Sequence, residues 1–362
     1  MEFPSGRADP PGAALSGDPT RAYGLHGVSL EVSSDDPSLF APVHAILEHF
    51  GLTAGGEGSA ASALRLYLTT NPGRIAVADG AEEIAWQDGI QALSTSGRIY
   101  LRADGQALVL DASSGAAVAL LPATSVSPRK DLILYGLLIL LRRRGLFALH
   151  ASGVRLGEAG CLLVGPSGSG KSTLTYALVR AGCPYLGDDA VLLRTGEAMM
   201  DALALRRDLC LDPALATHFP ELTRYGEAGD FAGKGKRRLP MGRLYADRLL
   251  QRFTPRVLLF PEIVPESRSR LLPLRMPDVL ARLAAQSAVL GLDPEMGGHH
   301  VRVLAELARQ SRAYRLLAGR DLEAAPRSVI SLLASVGIAD SSPFPVDSRD
   351  ANTEPRFAST IR

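Results

Sequence analysis

Gly165-Pro166-Ser167-Gly168-Ser169-Gly170-Lys171-Ser172 match the pattern GxxxxGK[ST] at every fixed position. They follow the apolar run Cys161-Leu162-Leu163-Val164 and precede a stretch with helical periodicity. That setting matters, because a strand that feeds such a loop into a helix turns backbone N–H groups toward an anion at the helix N-terminus. Each residue type has a task. The glycines let the backbone wrap a β-phosphate, Lys171 brings a point charge to the β- and γ-phosphates, and the Ser172 hydroxyl can ligate magnesium. Thr173 completes the expected nucleotide contact. Because the loop grips phosphates, it does not choose among ATP, GTP and pyrophosphate, nor does it name the reaction that follows.

Transfer of a phosphoryl group to an alcohol needs an acidic group near the metal and a base near the attacking oxygen. Asp188 and Asp189 meet both needs by position. They lie just past a short strand expected at residues 185–186, so they return to the sheet edge that carries the loop. Adjacent carboxylates repel, which raises one pKa and lets one face the metal while the other faces the acceptor. His150 stands near the end of the apolar run Phe147-Ala148-Leu149; on its own, a histidine at a strand edge is more often a packing residue. Lys234, Lys236, Arg237 and Arg238 fall in the glycine-containing segment 229–240, which either closes over transferring phosphate or is a solvated basic loop. Arg206 and Arg207 are weaker candidates for a phosphate or substrate contact. His299-His300 lacks further ligands at metal spacing and reads as a helix start, and Trp86 reads as a packing residue.

His150, the glycine loop and Asp188-Asp189, within HASGVRLGEAGCLLVGPSGSGKSTLTYALVRAGCPYLGDDAVLL, together resemble the catalytic domain of HPr kinase/phosphorylase and its relatives. The likeness covers about residues 150–193. It implies an α/β P-loop kinase domain of the HPr kinase/phosphoenolpyruvate carboxykinase type, with a mixed central sheet. It further implies that residues 165–172 hold the phosphates of ATP and that Mg2+ sits at Ser172 with help from Asp189. Asp188 would be the base toward an acceptor serine, and His150 would tune that proton transfer. The family's usual Glu after the loop serine is Thr173 here, and the glycine-rich stretch tied to phosphorolysis has no clear counterpart, so phosphorolysis is not carried over. The first hundred residues do not read like the N-terminal domain of the carbohydrate-regulating enzyme. The nearer comparison is with the HPr-kinase-like enzymes of modified peptides such as lasso peptides, whose acceptor is a serine of a precursor peptide. The expected partner is therefore a peptide or small protein carrying that serine, with a homo-oligomer left open. A kinase of a small-molecule hydroxyl and an ATP-switched binding module or ATPase are the rival readings.

Several elements must position these residues. A chain of 362 residues suits two domains. We expect a smaller α+β domain over residues 21–125, the kinase domain over 126–338, and disordered tails at 1–20 and 339–362. In the first domain, residues 26–32, 63–69, 98–103 and 107–111 alternate as strands do, with a hairpin at Asp104-Gly105 and a helix at 38–50. An apolar helix at 130–144 opens the second domain, followed by strands at 147–154 and 160–164, the loop, a helix at 172–181 and strands at 185–186 and 190–194. Farther on come a strand at 256–264, helices at 276–290 and 299–308, a strand at 314–317 and a helix at 325–336. With 39 Lys and Arg against 38 Asp and Glu, the net charge is +1, so nothing global steers the chain to nucleic acid or an anionic membrane. Three cysteines without CxxC spacing suit a reducing, cytoplasmic setting. The N-terminal tail has no apolar run of a signal peptide, and no apolar stretch is long enough for a bilayer span.

Overall fold

The computed structural model describes residues 18–55, 63–75, 80–87, 89–95, 97–111, 113–122, 128–228, 235–324 and 328–337. The chain divides into two compact units, one made of residues 1–148 with 288–301, the other of 149–287 with 302–362. The expected tail 339–362, and residues 1–17 of the other, lie outside the described residues; Thr20 already opens the first strand.

In the first unit β1 (Thr20–Leu25) and β2 (Val28–Ser34) are followed by α1 (Phe40–His49) and β3 (Thr53–Ala54). Then come β4 (Leu64–Thr69), β5 (Glu82–Gln87), β6 (Ile90–Thr95), β7 (Arg98–Ala103), β8 (Gln106–Asp111) and β9 (Ala116–Leu120), and finally α2 (Lys130–Arg142). Nine strands form one sheet in the order β3-β1-β2-β4-β9-β8-β7-β6-β5. The Asp104-Gly105 turn forms as expected, with φ of 49° and 76°, the pair of positive values that matches the twist of a two-residue hairpin. The strand expected at 26–32 begins only at Val28, because His26 and Gly27, φ 49° and 85°, form the turn that folds β1 back on β2.

The helix expected to open the second domain, α2, belongs to the first unit, where it covers β7, β8 and β9. Its side chains are apolar nearly all round, which says that it is buried but not against what. A methyl group at Gly136 would stand 2.7 Å from Leu108, so the helix lies close on the sheet only because that position is bare. Residues 288–301 return to this unit. There the fully buried Arg142 pairs with Asp293 at 3.2 Å and donates to the carbonyl of Val289 at 2.8 Å, and Arg143 reaches the same carboxylate at 2.9 Å. His300 is buried beside the Phe147 ring, 5.3 Å between centroids. Burial and the neighbouring Arg142 push its pKa down to about 4, so it packs as a neutral ring. No cluster of three metal-binding side chains occurs among the described residues.

The division between units falls within β10 (Phe147–Leu149). The second unit then runs through β11 (Ala151–Leu156), β12 (Ala159–Val164), α3 (Lys171–Arg180), β13 (Tyr185–Gly187), β14 (Val191–Thr195), β15 (Met200–Ala204) and β16 (Leu209–Leu211). It continues with α4 (Glu221–Tyr225), β17 (Arg237–Leu239), α5 (Met241–Leu244), β18 (Arg252–Phe253), β19 (Pro255–Ile263), β20 (Arg270–Pro273) and α6 (Met276–Ala285). Helix α7 (Pro294–Gln310) crosses the division, and β21 (Arg312–Ala318), α8 (Arg320–Ala324) and α9 (Ser328–Ala334) complete the unit.

Its main sheet has the order β13-β11-β12-β19-β21-β20. β12, β19 and β21 are parallel neighbours, whereas β11, β13 and β20 pair antiparallel, so the sheet is mixed, as expected. The centre strand β12 is buried from Gly160 to Val164, which is why it reads as a continuous apolar run rather than an alternating one. Helix α3 buries Leu174, Tyr176, Leu178 and Val179 against Val154, Cys161, Leu163, Val257 and Leu259 of that sheet. Two antiparallel ribbons flank it, β14–β15 extended by β18, and β16–β17. The strand expected at 147–154 is split at His150, and the helix expected at 276–290 stops at Ala285. No helix among the described residues is long and apolar enough to cross a membrane.

Candidate active site

The glycine loop leaves β12 at its C-terminal end and enters α3 at Lys171. Gly168 and Gly170 have φ of 82° and 90°, left-handed backbone that a residue with a Cβ adopts only at a cost. Gly165 matters for space: a methyl group there would lie 2.9 Å from the Ser169 hydroxyl. Lys171 is 5% exposed, and its ammonium folds back over the loop to donate to the carbonyls of Gly165 and of Pro166, the latter at 2.9 Å. Burial holds its pKa below the usual lysine value, opposed by the charges of Asp188 and Asp189. The Ser169 hydroxyl is buried in the loop with no hydrogen-bond partner among the described residues. A buried hydroxyl in a phosphate-type loop that lacks a protein partner fits a site built for an anion with oxygen acceptors.

Strand β13 delivers the acidic pair. Gly187 ends it with its backbone against the Arg206 carbonyl, where an added methyl would stand 2.5 Å away, and the Asp188 amide donates to that carbonyl at 3.1 Å. Asp189 then adopts φ 70°, while the Ala190 amide donates to the Asp188 carbonyl at 2.8 Å. An i to i+2 bond around a positive φ is a γ-turn of the rarer, strained hand. Its effect is to send the two carboxylates apart. Asp188 points inward at 2% exposure, whereas the Asp189 side chain is 48% exposed.

Asp188 is gripped on one oxygen. Its Oδ1 accepts from the Ser172 hydroxyl at 3.1 Å and from the Ser152 hydroxyl of β11. Burial, reinforced by the charge of Asp189, raises its pKa above the usual carboxylate value, with the two serine hydrogen bonds and Arg206 pulling the other way. Asp189 shifts oppositely: burial would raise its pKa, but Arg206 and His150 outweigh that and hold the carboxyl below its usual range. Two neighbouring carboxylates are thus set to different tasks by their surroundings.

His150 and Arg206 complete the group. His150 Nδ1 lies 2.7 Å from the Asp189 carbonyl and 3.3 Å from its carboxylate, and since both are acceptors, Nδ1 carries the proton. In the neutral ring Nε2 is then the basic nitrogen. The β14–β15 hairpin returns the chain so that Arg206 donates to the Asp189 carboxylate and, at 2.8 Å, to the Cys210 sulfur. Arg206, expected as a phosphate contact, is therefore bound to the acidic pair itself.

The basic cluster separates. Lys234 lies outside the described residues. Lys236 is exposed and near enough for its charge to oppose that of Lys171. Arg237 instead donates to the Gly226 carbonyl at 3.2 Å, and Arg238 is held by Asp208 at 2.6 Å and by Glu227, which fastens β17 beside β16. Arg238 is thus tied down by carboxylates beside the ribbon, and Arg237 by a backbone carbonyl. Arg207 reaches Gln251 at 2.6 Å. Of the expected residues, the structure brings together the loop, Ser172, Asp188, Asp189, His150 and Arg206. Ser152 was missed, and its one signal in the sequence was a hydroxyl within an otherwise apolar strand.

For a metal the available donors are the Ser172 hydroxyl and the carboxylates, all hard oxygens. That set suits magnesium, which takes one or two protein oxygens and fills its shell with phosphate and water, and not a soft metal. Asp189 offers only the lone pairs that Arg206 and His150 leave.

No family model matches the sequence. No curated protein matches it either. Among solved structures, the chain is similar to an Hpr(Ser) kinase/phosphatase from Coxiella burnetii at 14% identity and a TM-score of 0.28, over 53% of this chain and 96% of that one.

Proposed function

We propose that the second unit is an ATP- and Mg2+-dependent phosphotransferase that moves the γ-phosphoryl group to a hydroxyl, a serine of a peptide or small protein. The observation that carries this is the 3.1 Å bond between Ser172, at the mouth of the glycine loop, and Asp188. It joins the phosphate-gripping element to a buried carboxylate whose raised pKa suits it to take a proton. In the reaction Asp188 receives the acceptor's hydroxyl proton as the acceptor oxygen bonds to the γ-phosphorus and the bond to the bridging oxygen of the leaving diphosphate breaks. Lys171 and the loop amides hold the phosphates, Ser172 and Asp189 would hold magnesium, and bound magnesium supplies charge neutralisation. His150 and Arg206 fix Asp189 beside the base. The serine of a peptide as acceptor rests on the resemblance of residues 150–193, as does a cytoplasmic setting on the three cysteines, which form no disulfide.

The test uses radiolabelled ATP and Mg2+ with pooled serine peptides and pooled metabolites. Label should enter a peptide, and Asp188→Asn should reduce transfer by about 10²–10⁴-fold, the usual contribution of a general base. Wild-type transfer by that variant would remove Asp188 as base. Label confined to a low-mass, protease-resistant product would make the protein a small-molecule kinase, and steady hydrolysis with no acceptor labelled would make it an ATP-driven switch.

A further inference from the structure

The geometry points to Ser152 as a positioning residue, which locks the carboxylate of Asp188 in the one rotation that leaves Oδ2 turned to the acceptor hydroxyl. This rests on the reading of Asp188 as the base. Three observations carry it. Both serine donors, Ser152 and Ser172, converge on Oδ1, and no hydrogen-bond donor from the described residues reaches Oδ2. Ser152 itself is fully buried on β11 between Ala151 and Gly153, in register with Leu163 of β12. β11 also pairs with β13 at the end from which the acidic pair departs, Gly153 opposite Gly187. A hydroxyl on such a strand cannot wander.

The two serines are not equivalent. Ser172 sits on the loop helix, where its oxygen lone pairs are the ones a metal would use, so its hold on Asp188 changes with what the loop binds. Ser152 has no such second duty and is anchored in the sheet. A carboxylate held by Ser172 alone can turn about its terminal torsion, which is broad and two-fold, and exchange its oxygens. A donor fixed to the sheet removes that freedom. The bland alternative is a buried serine that merely satisfies its own hydrogen bond, and the two differ in what removal does to the carboxylate.

The experiment compares high-resolution crystal structures of wild type, Ser152→Ala and Ser152→Cys with bound Mg2+ and a non-hydrolysable ATP analogue, beside calorimetric titration of each with that analogue. In Ser152→Ala the Asp188 carboxylate should rotate or split into two conformers while analogue affinity stays within about twofold, and transfer from labelled ATP to the peptide pool should fall at least tenfold in kcat without a matching change in KM for ATP. Ser152→Cys, which keeps a weak donor at nearly the same size, should lie between; it stands in if the alanine variant does not fold. A single, unchanged carboxylate orientation in the variants, or transfer at the wild-type rate, overturns the role of Ser152. Should Asp188→Asn transfer normally, the base assignment fails instead, and the carboxylate's orientation is then judged from the crystals alone.

Discussion

At the scale of single residues, the two aspartates have opposite consequences for stability. Asp188 has a folded pKa above its unfolded value, so the folded state holds the proton more tightly, and stability falls as pH rises from the unfolded carboxylate value of about 3.9 through the raised one. Asp189 has a depressed folded pKa, so its contribution is present above about 3.9 and is lost as pH falls through its lower, folded value. Replacing Asp188 with Asn keeps an oxygen for the two serine donors and removes a buried charge. Asp188→Asn should therefore be more stable than wild type at neutral pH, by about 0.5–2 kcal/mol, the range usual when a functional group is traded for stability. The advantage should shrink toward pH 4. Thermal unfolding of both proteins across that range checks it, and a variant less stable than wild type at pH 7 contradicts the burial argument. The chemistry of the loop was legible because each fixed position has its own physical job, and so was the acidic pair. The division of labour between Asp188 and Asp189 was not, because it depends on a γ-turn and on Arg206, which a hairpin brings from elsewhere.

Elements explain why the rest of the site hides from a linear reading. Strand β12, the loop and α3 are consecutive, so their joint geometry follows from local pattern, and the expected boundaries lie within a residue of those found. Ser152 instead arrives through the pairing of β11 with β13, strands far apart in the chain, and Arg206 through the hairpin of β14 and β15. The glycine that permits this is Gly187, whose missing side chain lets β13 pass against the Arg206 carbonyl. Gly187→Ala must push that backbone aside, costing about 1–3 kcal/mol as overpacking does. Because the Asp188 amide bonds to the same carbonyl, transfer should fall with it. Urea denaturation reads the first effect and labelled-ATP transfer the second; a variant as stable as wild type would show that the close approach is not a constraint. Helix α2 teaches the complementary lesson. An apolar surface nearly all round fixes burial without fixing a partner, so the sequence pattern of α2 does not reveal that it covers β7, β8 and β9.

The whole molecule joins segments that sequence order separates, for residues 288–301 belong with the first unit although the second unit surrounds them in the chain. No periodicity announces such a return. Its anchor is Asp293, 2% exposed, which faces both Arg142 and Arg143. Asp293→Ala leaves a buried guanidinium without its partner and should destabilise the first unit by about 3–5 kcal/mol. An unchanged midpoint in denaturant would show that water or rearrangement takes the partner's place. Following that loss separately from the rest of the chain is straightforward because of where the cysteines lie. Cys161, Cys183 and Cys210 all belong to the second unit and are at most 8% exposed, and burial raises the pKa of Cys161 and of Cys210. The polypeptide thus carries a native reporter: the rate at which a thiol reagent colours the solution times the opening of the second unit, and a loss confined to the first leaves that rate unchanged, with no label or tag introduced.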